Sequence, residues 1–463
     1  MRSAGSQLQT AVTAAWQLRN TRWAFPRARL VILSDYILEG VQWMVRGKDT
    51  APSTMDRVAT RKGSLKVDLL PVLERWRSLE PPRGGEIDSL MARLKGEGHP
   101  LEGFRHFSAA DFTVYHRPRF SFFLKTVSDR TLLTETLNGE NLLGSDLSTG
   151  DHYYLTDASN YLDLPPGWDW ERLPGVTRSE KSTNIQRSGV AGGVGDDRSG
   201  MAAMDYVRGG DDEANLVVRR MWTFHKDWVI GLFGGWQAGA KERGSPYTTL
   251  DQRPLRGHVV VGLESGKTVV LETGDHAFAG VRYLWHDGVA YVMLNPSTIQ
   301  LRLSKVSGSW NRINRNYGIE AMSKDIFLAA IEHGRDPTSG GFVIAPASGV
   351  DEVEGWLGRK RWAILRNDRT CQAIQFDDGT GMAAFYHAGS LGTAAGSELS
   401  VDRPVLAFWR GADLHLTDPT HEGGAGTVDW RGREYRIVYP RGGRAASTSH
   451  HPEPDSMHGD PIL

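Results

Sequence analysis

The chain contains a single cysteine, Cys371, which excludes an intrachain disulfide and argues against any metal–thiolate cluster. Long hydrophobic runs are also missing: no window reaches the ~18 apolar residues of a membrane span. The opening Met1-Arg2-Ser3-Ala4-Gly5-Ser6-Gln7-Leu8-Gln9 has no apolar run of the signal-peptide kind. No membrane partner is therefore expected. Neither sign of charge is in excess, since 54 basic residues against 55 acidic ones leave a formal net charge of −1. With no global field to draw a polyanion, no nucleic-acid partner is expected, and an acidic ligand has to be drawn by a local patch. One such patch exists between Arg46 and Asp68, where Arg46, Lys48, Arg57, Arg61, Lys62 and Lys66 stand against Asp49, Asp56 and Asp68. The same pattern also describes a solvated helix end and loop.

At 463 residues the chain is too long for one small core and suggests two or three domains. From about Gln7 to Leu79 the pattern is helical, with Leu30, Ile32, Leu33, Tyr36, Ile37, Leu38, Val41, Trp43 and Met44 forming a broad apolar face. Pro81-Pro82-Arg83-Gly84-Gly85 breaks the chain, and a short polar helix follows near Glu86 to Lys95. After Gly103 the texture changes to short runs of β-branched and aromatic residues separated by Gly, Asp and Asn, as in Phe120–Lys125, Leu216–Trp222, Val259–Leu263 and Val289–Leu294. These predict a large antiparallel β region. Ile326–Ala330 reads equally as a short helix or a strand. A boundary near Ala347 to Gly355 precedes a further β-rich segment, Trp362 to Val438, and the tail from Arg441 has nothing to bury and reads as disordered.

Two groups of residues carry chemistry. Met55-Asp56-Arg57-Val58-Ala59-Thr60-Arg61-Lys62-Gly63 spaces Arg57 and Arg61 four apart, so that on a helix both guanidiniums share one face. Such a pair suits a carboxylate or sulfate, or belongs to an exposed ion-pair network. Thr134-Glu135-Thr136-Leu137-Asn138-Gly139-Glu140-Asn141 packs two carboxylates and two amides into eight residues. Read alone, Glu135 and Asn138 fit a turn that bonds its own backbone. The glycine-rich stretch Gly189–Gly195 lacks the Lys-Ser/Thr of a P-loop and reads as a loop. His106, His116, His225, His286 and His333 lack metal-ligand spacing and read as structural; no metal and no cofactor are expected. Some of the fifteen tryptophans are expected to form sugar-stacking platforms.

Several stretches, in order along the chain, carry a family resemblance. They are Asp35-Tyr36-Ile37-Leu38-Glu39-Gly40, Met55 to Arg61, His116-Arg117, Ser128-Asp129-Arg130, Thr134 to Asn141 and Trp168 to Thr177, followed by Thr248 to Arg253, Gly308 to Asn314 and Glu332-His333-Gly334. Together they resemble the family 8 polysaccharide lyases, the hyaluronate, chondroitin and xanthan lyases. The resemblance implies a multidomain α+β protein. Its parts would be the C-terminal portion of an α/α toroid over 1–100, a galactose-mutarotase-like antiparallel β supersandwich over 101–346, a small β sandwich over 350–440 and a disordered tail over 441–463. It further implies β-elimination on a uronic-acid-containing polysaccharide, an acidic polysaccharide partner, a monomer, and an extracellular place of action.

In the family an Asn and a His handle the uronate carboxylate, and a Tyr about nine residues after that His serves as base and acid. An Arg near the Tyr, and a Glu that orients the Arg, complete the site. Carried onto this chain, the Arg becomes Arg57 and the Glu becomes Glu135, which together make the catalytic set. Arg61 is the second cleft cation, and Asn138 is the amide that contacts sugar or holds the Arg. The His and Tyr positions fall on Ala4 and Thr13, neither of which can move the proton. The chain therefore reads as a truncated form of a longer lyase with impaired elimination, the alternative being a non-catalytic carbohydrate-binding homologue.

Overall fold

The computed structural model describes every residue apart from 1, 157–159, 180–184, 187–188, 210–215, 239–244, 360, 394–395, 441–448 and 452–463. Its first part is helical: α1 (Arg2–Leu18), α2 (Arg27–Asp35), α3 (Leu70–Arg77) and α4 (Gly84–Leu94). They pack through Leu8, Val12, Ile37, Leu38, Leu73, Trp76, Ile87 and Leu90. The broad apolar face expected from Leu30 to Met44 is only partly buried. A π-helical turn, Tyr36–Gly40, follows α2 and rotates the register, so that Ile37 and Leu38 turn inward while Val31 and Ile32 stay exposed.

Between α2 and α3 the chain leaves this bundle. Short 3₁₀ turns at Pro52–Thr54 and Asp56–Thr60 place Ala51, Met55, Ala59 and Leu65 in a core with Phe112, Val114, Phe123, Tyr153 and Trp168. The segment that carries the two arginines is thus packed into the β module, not the bundle.

The β module begins with a four-stranded antiparallel sheet, β1 (Gly103–Phe107), β2 (Phe112–Arg117), β3 (Phe120–Lys125) and β4 (Asp151–Leu155), in sequential order. Alternation places successive side chains on opposite faces. Tyr115, Phe122 and Leu124 enter one core, and Val114 and Phe123 enter another, so this sheet is apolar on both faces. It packs through Phe104, Tyr115, Phe122 and Tyr154 against Met204, Trp222, Phe224, Tyr291 and Phe342 of a second, 13-stranded antiparallel sheet spanning Thr177 to Pro346. Ile326–Ala330 lies in its strand Ala321–Glu332.

Gly189–Gly195, read from sequence as a loop, contains a strand, Ala191–Gly195, paired with Gly200–Arg208. The glycines are there for close approach: a Cβ on Gly193 would lie 2.6 Å from the His106 ring, and one on Gly200 would lie 2.4 Å from Phe104.

The boundary expected near Ala347 is the helix Val350–Leu357, after which six-stranded and four-stranded sheets enclose Cys371, Phe385, Leu399, Trp409 and Trp430. Ile374, Met382 and Leu406 of this sandwich pack on Met201, Met221 and Val343 of the large sheet. Of the tail expected to be disordered, Ser449–His451 adds a short strand beside Asp413–Thr417; the rest of it lies outside the described residues. No helix among the described residues is long and apolar enough to cross a membrane.

Candidate functional site

The site is built from segments 55–62, 134–142 and 312–317. In the middle one, Asn138 and Gly139 have φ of 56° and 74°, the two positive values that a primed hairpin turn requires, and Glu140 N donates to Leu137 O at 3.0 Å. This tight Asn-Gly turn sends Glu140 back into the protein. The returning strand is fastened on its far side, with Arg315 N donating to Gly139 O at 2.8 Å and Leu142 N to Ile313 O at 3.0 Å. Asn141 closes the turn from within, its Nδ2 donating to Thr134 Oγ1 (3.0 Å) and Glu135 O (2.9 Å). Thr134 in turn donates to Asp56, and Asn141 N reaches Thr60 Oγ1 at 3.3 Å, which docks the turn on the arginine segment.

Arg57 and Arg61 do not share an α-helical face as the spacing suggested. Asp56–Thr60 is a 3₁₀ turn, and Arg61 lies beyond its end in an extended conformation. What joins them is one carboxylate. Arg61 Nε donates to Glu140 Oε1 at 2.6 Å and its Nη2 to Oε2 at 2.8 Å, while Arg57 Nη1 reaches the same Oε2 at 2.8 Å. Arg57 Nε donates to Glu135 Oε2 at 3.1 Å. The side chain of Glu140 is 7% exposed and that of Glu135 is 52% exposed. Hydrogen bonding to Arg61 holds the Glu140 carboxyl below the usual carboxylate range, against the opposing effect of its burial.

The expected pairing of Arg57 with Glu135 is therefore present, and Arg61 joins them through Glu140, a residue to which the sequence analysis gave no role. The readable signal for Glu140 was the Asn-Gly turn immediately before it, which fixes where the next side chain points. Asn138 does not hold an arginine: its side chain is exposed, and its carbonyl accepts from Asn316 Nδ2 at 3.2 Å. Its residue type is explained by the left-handed turn conformation.

Chemically, the cluster can present N–H donors in fixed geometry. Two carboxylates balance the two guanidiniums and lock their orientation. Arg57 Nη2 and Arg61 Nη1 are left without a protein acceptor among the described residues. Beyond Leu142 and Leu143 opens a groove of ≈ 830 Å³. Of its arginines, Arg178 is paired with Asp146 and Glu171, and Arg302 with Asp169 and Asp275. The aromatic floor of the groove offers no stacking platform, since Trp168 is 1% exposed and Trp170 4%. Among the described residues the exposed tryptophans are Trp16 and Trp23, on and after α1.

The histidines read as structural are held within the protein. His116 bonds Ser121 Oγ (2.7 Å) and Trp43 O (2.9 Å), and His333 bonds Thr248 Oγ1 (2.7 Å). No group of three or more His, Cys, Asp or Glu side chains able to hold a metal occurs among the described residues.

The chain is similar to known proteins over most of its length. A chondroitinase-AC from Pedobacter heparinus is 26% identical over 414 residues, covering 84% of this chain and 57% of that protein. A hyaluronate lyase from Thermasporomyces composti is 27% identical over 353 residues, covering 72% of this chain and 44% of that protein. This chain therefore spans roughly half the length of these relatives. A solved chondroitinase AC lyase, described with its oligosaccharide complexes, superposes with a TM-score of 0.87 at 23% identity, over 96% of this chain and 68% of that one, and so shares the fold. Residues 102–354 match the super-sandwich domain of polysaccharide lyase family 8 and residues 363–426 match its C-terminal β-sandwich domain. With these two domains found in order, on the sheets described above, the chain belongs to polysaccharide lyase family 8.

Proposed function

We propose that the Arg57–Arg61 cluster binds the anionic groups of a uronic-acid-containing polysaccharide and forms the arginine–carboxylate half of a β-elimination site. The observation that supports this is the pair of guanidiniums held by Glu135 and Glu140, with one terminal nitrogen of each left without an acceptor among the described residues. In β-elimination the C5 proton beside the uronate carboxylate is removed, the C4–O bond breaks, a C4–C5 double bond forms and the departing oxygen takes a proton. Neutralising that carboxylate stabilises the charge that develops as C5 is deprotonated. The names of the relatives, chondroitinase and hyaluronate lyase, point to a glycosaminoglycan as the polymer. Such polymers lie outside the cell, so the proposal carries an extracellular place of action. Glu135 and Glu140 act by orientation, and Asn138, at the exposed tip of the turn, contacts sugar.

The proton-carrying half is not supplied by Ala4 and Thr13. Alanine has nothing to ionise, and Thr13 Oγ1 on α1 is already engaged by Arg75 Nη1 at 2.9 Å. Binding with weak or no elimination is therefore the expected behaviour of these 463 residues.

Two measurements on one preparation test this: calorimetric binding of a chondroitin or hyaluronan oligosaccharide, and the ultraviolet absorbance of the conjugated uronate product. Losing Arg57 removes a charge-assisted contact of about 1.5–3 kcal/mol, so Arg57→Ala is expected to weaken binding at least about tenfold. Equal binding by the wild type and Arg57→Ala would overturn the assignment of the cluster. Rapid elimination by the wild type would overturn the incomplete proton relay.

A further inference from the structure

Where the helical bundle meets the β module, α4 and the chain around residues 42–49 face β2 and β3 across a second recess, of ≈ 510 Å³. None of its lining residues belongs to the Arg57 cluster. Its charged rim is cationic: Arg46, Lys48, Lys66, Arg93 and Lys95 against the single acid Asp49. Asp49 is already engaged, with Lys66 Nζ 2.8 Å from its Oδ1. Arg46 donates to the carbonyls of Thr156, Arg117 (3.1 Å) and Pro118 (2.8 Å), which pins the rim to the β module.

Arg93 is partly buried on α4, and its Nη2 donates at 2.6 Å to Gln42 Oε1, a neutral amide. It forms no ion pair with a carboxylate among the described residues, and neither do Lys48 and Lys95. Partly burying a guanidinium without a counter-charge is a cost that proteins ordinarily cancel with an anion, and here burial lowers its pKa from the ordinary value. The field of these groups reaches the floor of the recess. The buried imidazole of His116 is pushed down to about 4, first by burial and further by the charges of Arg46 and Arg93. The remaining wall is apolar, made by Val45, Leu90, Leu94 and Leu101. A cationic rim over an apolar wall suits a sugar ring that carries an oxyanion; the rim alone would also accept the free ion.

We propose that this recess is a second anion site, independent of the Arg57 cluster, which takes a sulfate group with Arg93 as its principal donor and Lys48 and Lys95 as supporting charges. The sulfate has two possible sources, a sulfated sugar or inorganic sulfate. An anion here neutralises the inner face of α4 and draws the bundle onto β2 and β3.

The test is calorimetric titration of the full chain with sodium sulfate at constant ionic strength, with sodium chloride as the comparator. Saturable sulfate binding is expected in Arg57→Gln, in which the arginine cluster is disabled, and at least tenfold weaker binding when Arg93→Gln or the double change Lys48→Gln/Lys95→Gln is added to it. Displacement of bound sulfate by a sulfated disaccharide assigns the site to carbohydrate; sulfate binding that the disaccharide does not displace assigns it to the free oxyanion. The proposal is overturned if Arg57→Gln gives no saturable heat with sulfate, or if adding Arg93→Gln to it leaves the affinity unchanged. Should circular dichroism show Arg93→Gln to be unfolded, the double lysine variant, whose side chains are on the surface, decides the matter alone.

Discussion

Glu140 receives three of the four hydrogen bonds in the arginine cluster, and Glu135 receives the other. A buried carboxylate that accepts charge-assisted bonds is worth more than an exposed one, because water competes less for it. Glu140→Gln is therefore expected to cost about 2 kcal/mol of stability, whereas Glu135→Gln stays within about 1 kcal/mol. Urea denaturation of the two variants checks this, and equal costs would contradict the ranking. The depressed Glu140 carboxyl also sets a pH window. Its stabilisation is fully present above the unfolded value near 4.5 and is lost as the pH falls through its lower folded value. Acid loss of this stabilisation should therefore start near pH 4.5 and continue downward, and Glu140→Gln should abolish this component of the acid titration. From sequence, Glu140 lay in plain view within Thr134–Asn141. Nothing in its spacing distinguished it from Glu135, because burial, which separates the two, depends on a turn and on a docking segment more than 170 residues away, where Asn314 bridges to Glu140.

Strand β3 was legible because its apolar run is dense: Phe120, Phe122 and Leu124 enter one core and Phe123 another. The strand Ala191–Gly195 was not. Glycine normally punctuates a chain, and only tertiary neighbours explain why this strand needs residues without a Cβ: the ring of His106 lies against Gly193 and the carbonyl of Ser199 against Gly195. The same close approach makes a prediction at Gly308, in the long strand Val289–Ser309. A Cβ there would lie 1.8 Å from the carbonyl oxygen of Pro166, in the 3₁₀ turn that precedes Trp168. Gly308→Ala is expected to cost about 1–3 kcal/mol through overpacking and to shift the fluorescence of the Trp168–Trp170 pair. An unchanged spectrum and urea midpoint would show that the turn can give way. The pairing of Arg57 with Glu135 was likewise legible, but the element that carries Arg57 was not, since spacing by four does not reveal whether the turn is α or 3₁₀.

At the scale of the whole molecule, five histidines among the described residues are pushed far enough down by burial to stay neutral at mildly acidic pH. Burial pushes His106 and His116 down to about 4, and His152, His286 and His333 down to about 3. In the unfolded chain each protonates near 6.5, so below that pH the unfolded state binds more protons and stability falls, at about 1.4 kcal/mol per pH unit for each histidine. Burial acts in the opposite sense at Asp151, pushed up to about 7, which offsets about one of them. The urea midpoint is therefore expected to drop steeply between pH 6.5 and pH 4.5; a flat profile across that window would mean that the histidines are charged in the folded protein.

The arginine-bearing segment has a last consequence at this scale. Val45 and Leu69 pack in the bundle while Ala51 and Leu65 between them pack in the β module, so the chain crosses between the two at 45–51, again at 65–69 and a third time before β1. Residues 95–100, in the third crossing, are all exposed. A protease that nicks the backbone after Lys95 severs the polypeptide without releasing the bundle, because the first fragment still carries its inserted 51–65 segment inside the β module. The nicked protein should migrate as one species on a native gel and as two fragments in denaturant.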